Sequence, residues 1–292
     1  MRTRSTASTP APRSSSHRWA PCSSSTPISD QPFTLNLHFS GPFGTLEWAG
    51  EATFQALSEA IKRAADEGLI RDGLHRVEAV VPAGDRLSRR ALQSAGFRFE
   101  GLRRKATQQP DGGFGDLAAY ARLAGDDVHG QAGFTGVMNA VLPRKRCIAH
   151  VLFWDDHGRI CLLETTFKDD WELPGGIVEV NESPREGAIR EVQEEVGLAC
   201  SPGEILVVDW LAPYLGWEDA VELIFEGGQL TKETCTQLRP DPHEIRAIHW
   251  LTPQEAEPVM APFARGRLAE AVAAHASSTG TTRYLERGRR VT

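Results

Sequence analysis

Three glutamates, Glu191, Glu194 and Glu195, stand at i, i+3 and i+4 in one helical stretch. At 100° per residue they gather on one side, while Ala188, Ile189, Val192 and Val196 gather on another, roughly 120° round. One face packs and the other is acidic. Like charges at this spacing cost a few tenths of a kcal/mol per pair unless a countercharge is supplied. A divalent cation supplies one. Carboxylate and carbonyl oxygens suit Mg²⁺ or Mn²⁺, and Mg²⁺ usually takes one or two protein carboxylates while bridging to substrate phosphates. The chemistry indicated is therefore that of phosphates. A solvated acidic helix face would also explain a bare cluster of this kind, so the surrounding residues must decide.

The elements that would position the glutamates can be read from the same stretch. Ser183 as N-cap, Pro184 at the first helical position and Glu186 three residues after the serine form a capping box, and Gly197 ends the helix after Val196. Upstream, Cys147 to Trp154 and Arg159 to Glu164 read as strands joined by the turn-rich Asp155-Asp156-His157-Gly158. Downstream, Pro240-Asp241-Pro242-His243-Glu244-Ile245-Arg246 is a proline-rich loop before a strand from Ala247 to Leu251. Pro253 to Glu257 reads as a short helix. Pro262 to Ala276 reads as a final amphipathic helix with Phe263, Leu268, Ala271 and Val272 inward. Residues 279–292, with Arg283, Arg287, Arg289 and Arg290, read as a solvated tail, the alternative being that these arginines reach substrate phosphates. His243 and His249 are expected to be structural, and Cys161 a small buried apolar residue.

Written out, Gly176-x5-Glu182-x7-Arg190-Glu191-Val192-x-Glu194-Glu195-x-Gly197-Leu198 meets every fixed position of the Nudix box, and the chain resembles a Nudix hydrolase from about Arg144 to Pro258. The resemblance implies an α/β/α sandwich with a mixed sheet that cleaves a nucleoside diphosphate linked to another moiety, with water as the nucleophile. It further implies that Glu194 and Glu195 hold the metal with the backbone carbonyl of Gly175 or Gly176. Glu191 is then a third ligand or the general base, and Arg190 pairs with the box glutamates and fixes their orientation, with Glu182 beside it. Some members place the base on a later loop, where Glu244 is the candidate and Asp219 and Glu222 are weaker ones. Pro213, fifteen residues after Leu198, matches a spacing seen in enzymes acting on ADP-ribose; Tyr214, at sixteen, falls in the range of dinucleoside polyphosphate hydrolases. Trp210 and Trp217 are candidates for stacking on a base, against packing at a core edge. The extension used by NADH-cleaving members is not visible. The substrate reading leans to a nucleotide sugar or a (d)NTP.

Apolar periodicity before this region runs from Phe33 to about Leu123. Ala52 to Leu69 reads as a helix, Val77, Ala79 and Val81 as a strand, and Arg86 to Ala95 as a second helix closed by Gly96. Two strands follow, over Phe97 to Leu102 and Leu117 to Leu123. Ser88-Arg89-Arg90-Ala91-Leu92-Gln93-Ser94-Ala95-Gly96-Phe97-Arg98-Phe99-Glu100-Gly101-Leu102-Arg103, with Asp116 and Tyr120-Ala121-Arg122-Leu123, resembles the C-terminal half of the GNAT N-acyltransferase family over about residues 48–124. That family carries the acetyl-CoA pyrophosphate on a glycine-rich turn at a helix N-terminus. Here Trp48-Ala49-Gly50-Glu51 stands instead, and Asp85 replaces the usual Asn, so a domain kept for packing or partner contacts is the expectation.

The expected fold class is therefore α/β (α+β). The expected division is a disordered tail over 1–31, a partial GNAT-like α/β domain over 32–124, a linker over 125–136, a Nudix domain over 137–278 and a tail over 279–292. With 292 residues, 40% of them hydrophobic and 24% charged, the chain suits about two globular domains. A net charge of −7 has the wrong sign for coating nucleic acid or an anionic membrane, so a small-molecule nucleotide partner is expected rather than a nucleic acid polymer. No apolar run reaches the roughly 18 residues of a membrane span. Cys22, Cys147, Cys161, Cys200 and Cys235 form no CxxC pair, which fits a reducing cytoplasm. The rival readings are a nucleotide-sensing regulator without turnover and a bifunctional protein retaining acyl-CoA binding. A homodimer is left open.

Overall fold

A computed structural model describes residues 33–277 and 280–291; the expected N-terminal tail and Cys22 lie outside them. The chain divides into two compact units, one ending at Pro143 and the other beginning at Arg144.

In the first unit, β1 (Thr34–Ser40) and β2 (Phe43–Ala49) pair antiparallel, followed by α1 (Phe54–Asp66), β3 (Arg76–Pro82), α2 (Arg86–Ser94), β4 (Arg98–Gln108), β5 (Phe114–Leu123) and α3 (Gly130–Val141). The sheet order is β1-β2-β3-β5-β4. The Thr53 hydroxyl caps α1 by accepting the Ala56 N–H, and the Asp85 carboxylate caps α2 by accepting the Ser88 N–H. Leu57, Ile61, Ala64 and Ala65, at helical spacing on α1, bury against Leu35, Val77, Ala79 and Tyr120 of the sheet. The helices and strands read from the sequence are thus found, with the β1–β2 hairpin added in front.

The stretch 125–136 is not simply a linker, because α3 begins at Gly130 inside it. Its glycines Gly130, Gly133 and Gly136 and the absence of a side-chain cap on His129 hid the helix. Gly133 is required there: a Cβ would stand 2.5 Å from the Val128 carbonyl carbon.

In the second unit, β6 (Arg146–Trp154) and β7 (Ile160–Thr165) lead to β8 (Gly175–Ile177) and α4 (Pro184–Val196). Then come β9 (Ile205–Leu211), β10 (Ala220–Gln229), α5 (Lys232–Gln237), β11 (Ile245–Leu251), α6 (Pro253–Ala256) and α7 (Pro262–His275), and last β12 (Arg283–Glu286) and β13 (Arg289–Arg290). The sheet runs β11-β7-β6-β10-β9-β12-β13, with β8 on β6, and it is mixed: β6–β10 and β9–β12 are parallel pairs. Ala188, Val192 and Val196 of α4 pack on Ala149, Val151, Phe153, Cys161 and Leu163 of one face. Ala264, Leu268 and Ala271 of α7 pack on Leu152, Ile160, Leu162, Val207 and Ile224 of the other. Helix, sheet and helix form three layers, as expected.

The reading of 279–292 as a solvated tail is overturned. Residues 283–286 add a strand to β9, and Leu285 is fully buried in the α7 layer. Arg283 pairs with Glu270 rather than facing open solvent. Among the described residues, no helix is long and apolar enough to cross a membrane.

Candidate active site on the acidic helix

The α4 helix begins with the expected capping box, Ser183 and Glu186 each bonding the other's backbone, and ends at Gly197 in the left-handed region (φ 69°). This fixes the rotation of its acidic side. The three glutamates differ sharply in environment. Glu194 is exposed, Glu191 is partly buried and Glu195 is only 6% exposed.

Arg190 clamps this side. Its Nε and Nη2 donate to the two oxygens of Glu182 at 2.9 and 3.1 Å, and Nη2 also donates to the Ile177 carbonyl at 3.0 Å. Its Nη1 reaches Glu194 Oε2 and Glu191 Oε1, both at 3.0 Å. Glu182 also accepts the Glu179 N–H at 2.9 Å. The Arg190 guanidinium, helped by that N–H, holds the Glu182 carboxyl below its ordinary range. One cation therefore orients three carboxylates and ties them to the strand beside them.

That strand brings backbone oxygens to the site. β8 pairs with β6 in the register Ala149↔Gly176 and His150↔Gly175. Gly175, at φ 130°, lies so close to β6 that a Cβ would stand 2.2 Å from the Ala149 carbonyl oxygen. At Gly176 a Cβ would stand 2.7 Å from Glu191 Cδ, so the missing side chain is what lets that carboxylate lie against the backbone. The Gly175 N–H donates to Glu195 Oε2 at 2.8 Å.

Burial pushes Glu195 up to about 8, against the pull of the Gly175 N–H, and the charges of Glu172, Glu191 and Glu244 add to the rise. Glu191 is raised for the same first reason, burial, with Arg190 opposing and Glu194 and Glu244 adding to it. These are hard oxygen donors short of positive charge, and the cradle at Gly176 leaves room for them, so the residues fit a divalent cation. Among the described residues no three His, Cys, Asp or Glu side chains converge tightly enough to hold an ion alone.

Glu244 is brought to this cluster by its loop. The Asp241 N–H donates to the Glu195 carbonyl and the Arg239 N–H to the Val196 carbonyl, both at 2.9 Å, strapping the loop to the end of α4. Thr166 bonds the carbonyls of Glu244 and His243 from the other side. The two weaker rivals are engaged elsewhere: Asp219 pairs with Lys145 and accepts from Trp210 Nε1, and Glu222 is buried on the α7 face of the sheet. His249 stacks on Trp171 with ring centroids 3.8 Å apart and faces Glu164 at 3.0 Å.

Trp210 and Trp217, which the sequence left between stacking and packing, separate. Trp210 is held by Asp219 at 3.0 Å and lies under the Arg287 guanidinium. Trp217 is 60% exposed and Tyr214 is 51% exposed, at the ends of the tight turn joining β9 to β10. Glu172 was overlooked, although an acid directly before Leu173-Pro174-Gly175-Gly176 was visible; its ion pair with Lys168 sits next to Glu195. The buried set Asp209, Arg267, Glu222 and His150 was not legible at all.

Comparison with known proteins agrees with this geometry. The NUDIX domain family matches residues 143–272. A "MutT-like protein" of Streptomyces ambofaciens is 32% identical over 129 residues, covering 43% of this chain and 75% of the relative. The chain belongs to the Nudix hydrolase family. An m7GpppN-mRNA hydrolase of Homo sapiens is 31% identical over 103 residues, but the match spans only 31% of each chain. For the first unit, a GNAT-family acetyltransferase from Bacillus anthracis is a structural neighbour, with 23% identity, 32% of this chain and 58% of that chain covered, and a TM-score of 0.29.

Proposed function

We propose that the second unit is a divalent-metal-dependent pyrophosphohydrolase, acting with Mg²⁺ or Mn²⁺ on a nucleoside diphosphate linked to another moiety, with water attacking phosphorus. The observation that supports this most is the Arg190 clamp, which holds Glu182, Glu191 and Glu194 in one arrangement beside the buried Glu195 and the Gly175–Gly176 backbone. Glu191, Glu194 and Glu195, with the Gly176 carbonyl, would hold the cation. When bound, it would neutralise charge on the phosphoryl oxygens and lower the pKa of a coordinated water. Glu244, on the loop strapped to α4, takes the proton from the attacking water, and Arg190 keeps the carboxylates from turning away as charge develops.

The test is incubation of the full chain with Mg²⁺ or Mn²⁺ and a panel of ADP-ribose, NADH, dinucleoside polyphosphates, nucleotide sugars, (d)NTPs and capped nucleotides, following release of phosphate or nucleoside monophosphate. The reading expects release by the wild type and a loss of about a hundredfold or more in Glu195→Gln. Equal release by the variant, or none by either, overturns it.

A further inference from the structure

Resting on that hydrolase reading, we propose that the exposed face of Trp217 is the platform for the substrate's nucleobase and that it selects an uncharged base over a cationic one. The argument starts from register. On β6, Arg146, Ile148 and His150 alternate onto the face that also carries α7, opposite α4. Ile148 pairs with Ile177 of β8, and Arg146 pairs with Ala220 at the start of β10. Ile177 directly follows the Gly176 of the candidate metal site and is 48% exposed. Arg146 is two strand residues from Ile148, roughly 7 Å along the sheet. Arg146 is also three strand residues, roughly 10 Å, from Ala149, the β6 partner of Gly176, so the platform and the candidate metal site are tied to the same strand.

Trp217 reaches Arg146 from the β9–β10 turn. The guanidinium lies over the indole with 4.6 Å to the ring centroid, and Arg146 Nη2 donates to the Glu218 carbonyl, which anchors the pair to the turn. Pairing between Tyr214 and Trp217 backbones closes that turn. The stacked arginine leaves most of the indole exposed, pre-ordered at low entropy cost, which is what a stacking platform requires. Beside it, Tyr214 meets Phe263 of α7 edge-on at 5.3 Å, giving an aromatic flank.

Selectivity follows from charge. The quadrupole of Trp217 already faces one cation. A positively charged base, such as an N7-methylated guanine, stacked on the free face would lie within about one Debye length, ~8 Å at physiological salt, of the guanidinium, so repulsion between them is only partly screened. A neutral base meets no such penalty.

Calorimetric titration of GDP and of 7-methyl-GDP into the full chain with Mg²⁺ tests this, using wild type, Trp217→Ala, Trp217→Phe and Arg146→Gln. GDP is expected to bind wild type several-fold more tightly than 7-methyl-GDP. Trp217→Ala should weaken GDP by about tenfold or more. Trp217→Phe should restore most of that loss, and Arg146→Gln should narrow the gap between the two ligands. Equal GDP affinity in Trp217→Ala, or tighter binding of 7-methyl-GDP by wild type, overturns the proposal. Because the readout is binding, an absence of hydrolysis in the panel above would sink the hydrolase reading without being mistaken for failure of the platform.

Discussion

The second unit buries two charged clusters on opposite faces of one sheet, and they are built on different terms. On the α7 face, Arg267 donates to Asp209 at 3.1 Å and meets Glu222 at 2.9 Å, while His150 Nδ1 donates to Glu222 at 2.9 Å. Asp209 also accepts the Gly288 N–H at 3.0 Å, which ties in the β12–β13 turn. Burial alone would push Glu222 up, but the charges of Arg267 and His150 outweigh it and hold the carboxyl below its ordinary range. On the α4 side, Glu195 is comparably buried, yet its neighbours Glu172, Glu191 and Glu244 carry its own sign. The first cluster is closed within the fold, its carboxylates held by Arg267, although burial still raises Asp209. The second is short of positive charge, and such a deficit next to a backbone cradle is the mark of a site whose partner comes from outside.

Breaking the closed cluster should have the largest effect. Arg267→Met would leave Glu222 and Asp209 buried without their cation, and about 3–5 kcal/mol of stability should be lost. A thermal melt should show the drop, and a loss below about 1 kcal/mol would mean that the cluster is not the closed unit described. Perturbing the open cluster should instead spare the fold and hit turnover. In Gly176→Ala the new Cβ must displace the Glu191 carboxylate, and turnover is expected to fall by about 10- to 100-fold while stability changes by less than about 1 kcal/mol. Steady-state kinetics beside a denaturant titration would separate the two effects.

The smallest effect sharpens the contrast through pH. Glu195 has a folded pKa of about 8, above the 4.5 of the free side chain, so the folded state binds the proton more tightly than the unfolded one. Its contribution to stability is full below about pH 4.5 and is lost as pH rises through about 8. Metal-free wild type should therefore lose stability across this window more steeply than Glu195→Gln, and added Mg²⁺ should flatten the difference. Matching slopes for wild type and variant without metal would contradict the assignment.

What the sequence disclosed follows the same division. The glutamate spacing, the capping box and Gly197 are local, so α4 and its acidic side could be read directly. Glu194 and Glu195 look equivalent on a helical projection; only the close approach of β8 shows that one is buried on the Gly175 N–H and the other exposed on Arg190. Residues 150, 209, 222 and 267 are far apart in the chain, and no periodicity announces that the sheet register and α7 bring them together. The C-terminal hairpin was hidden because Leu285 is its single fully buried apolar residue and its turn uses Arg287, at φ 56°, before Gly288 where Asn or Asp is the usual signal. In the first unit, the altered turn at Gly50-Glu51 was legible, and the helix that follows it is capped by its own Thr53.

The central claim is that the α4 cluster is completed by a divalent cation, and titration of Mn²⁺ into metal-free protein at pH 8, followed by calorimetry, tests it most directly. Saturable binding by the wild type, accompanied by proton release and largely lost in Glu195→Gln, is the predicted result. Undiminished binding by the variant, or no binding by the wild type, would contradict the account.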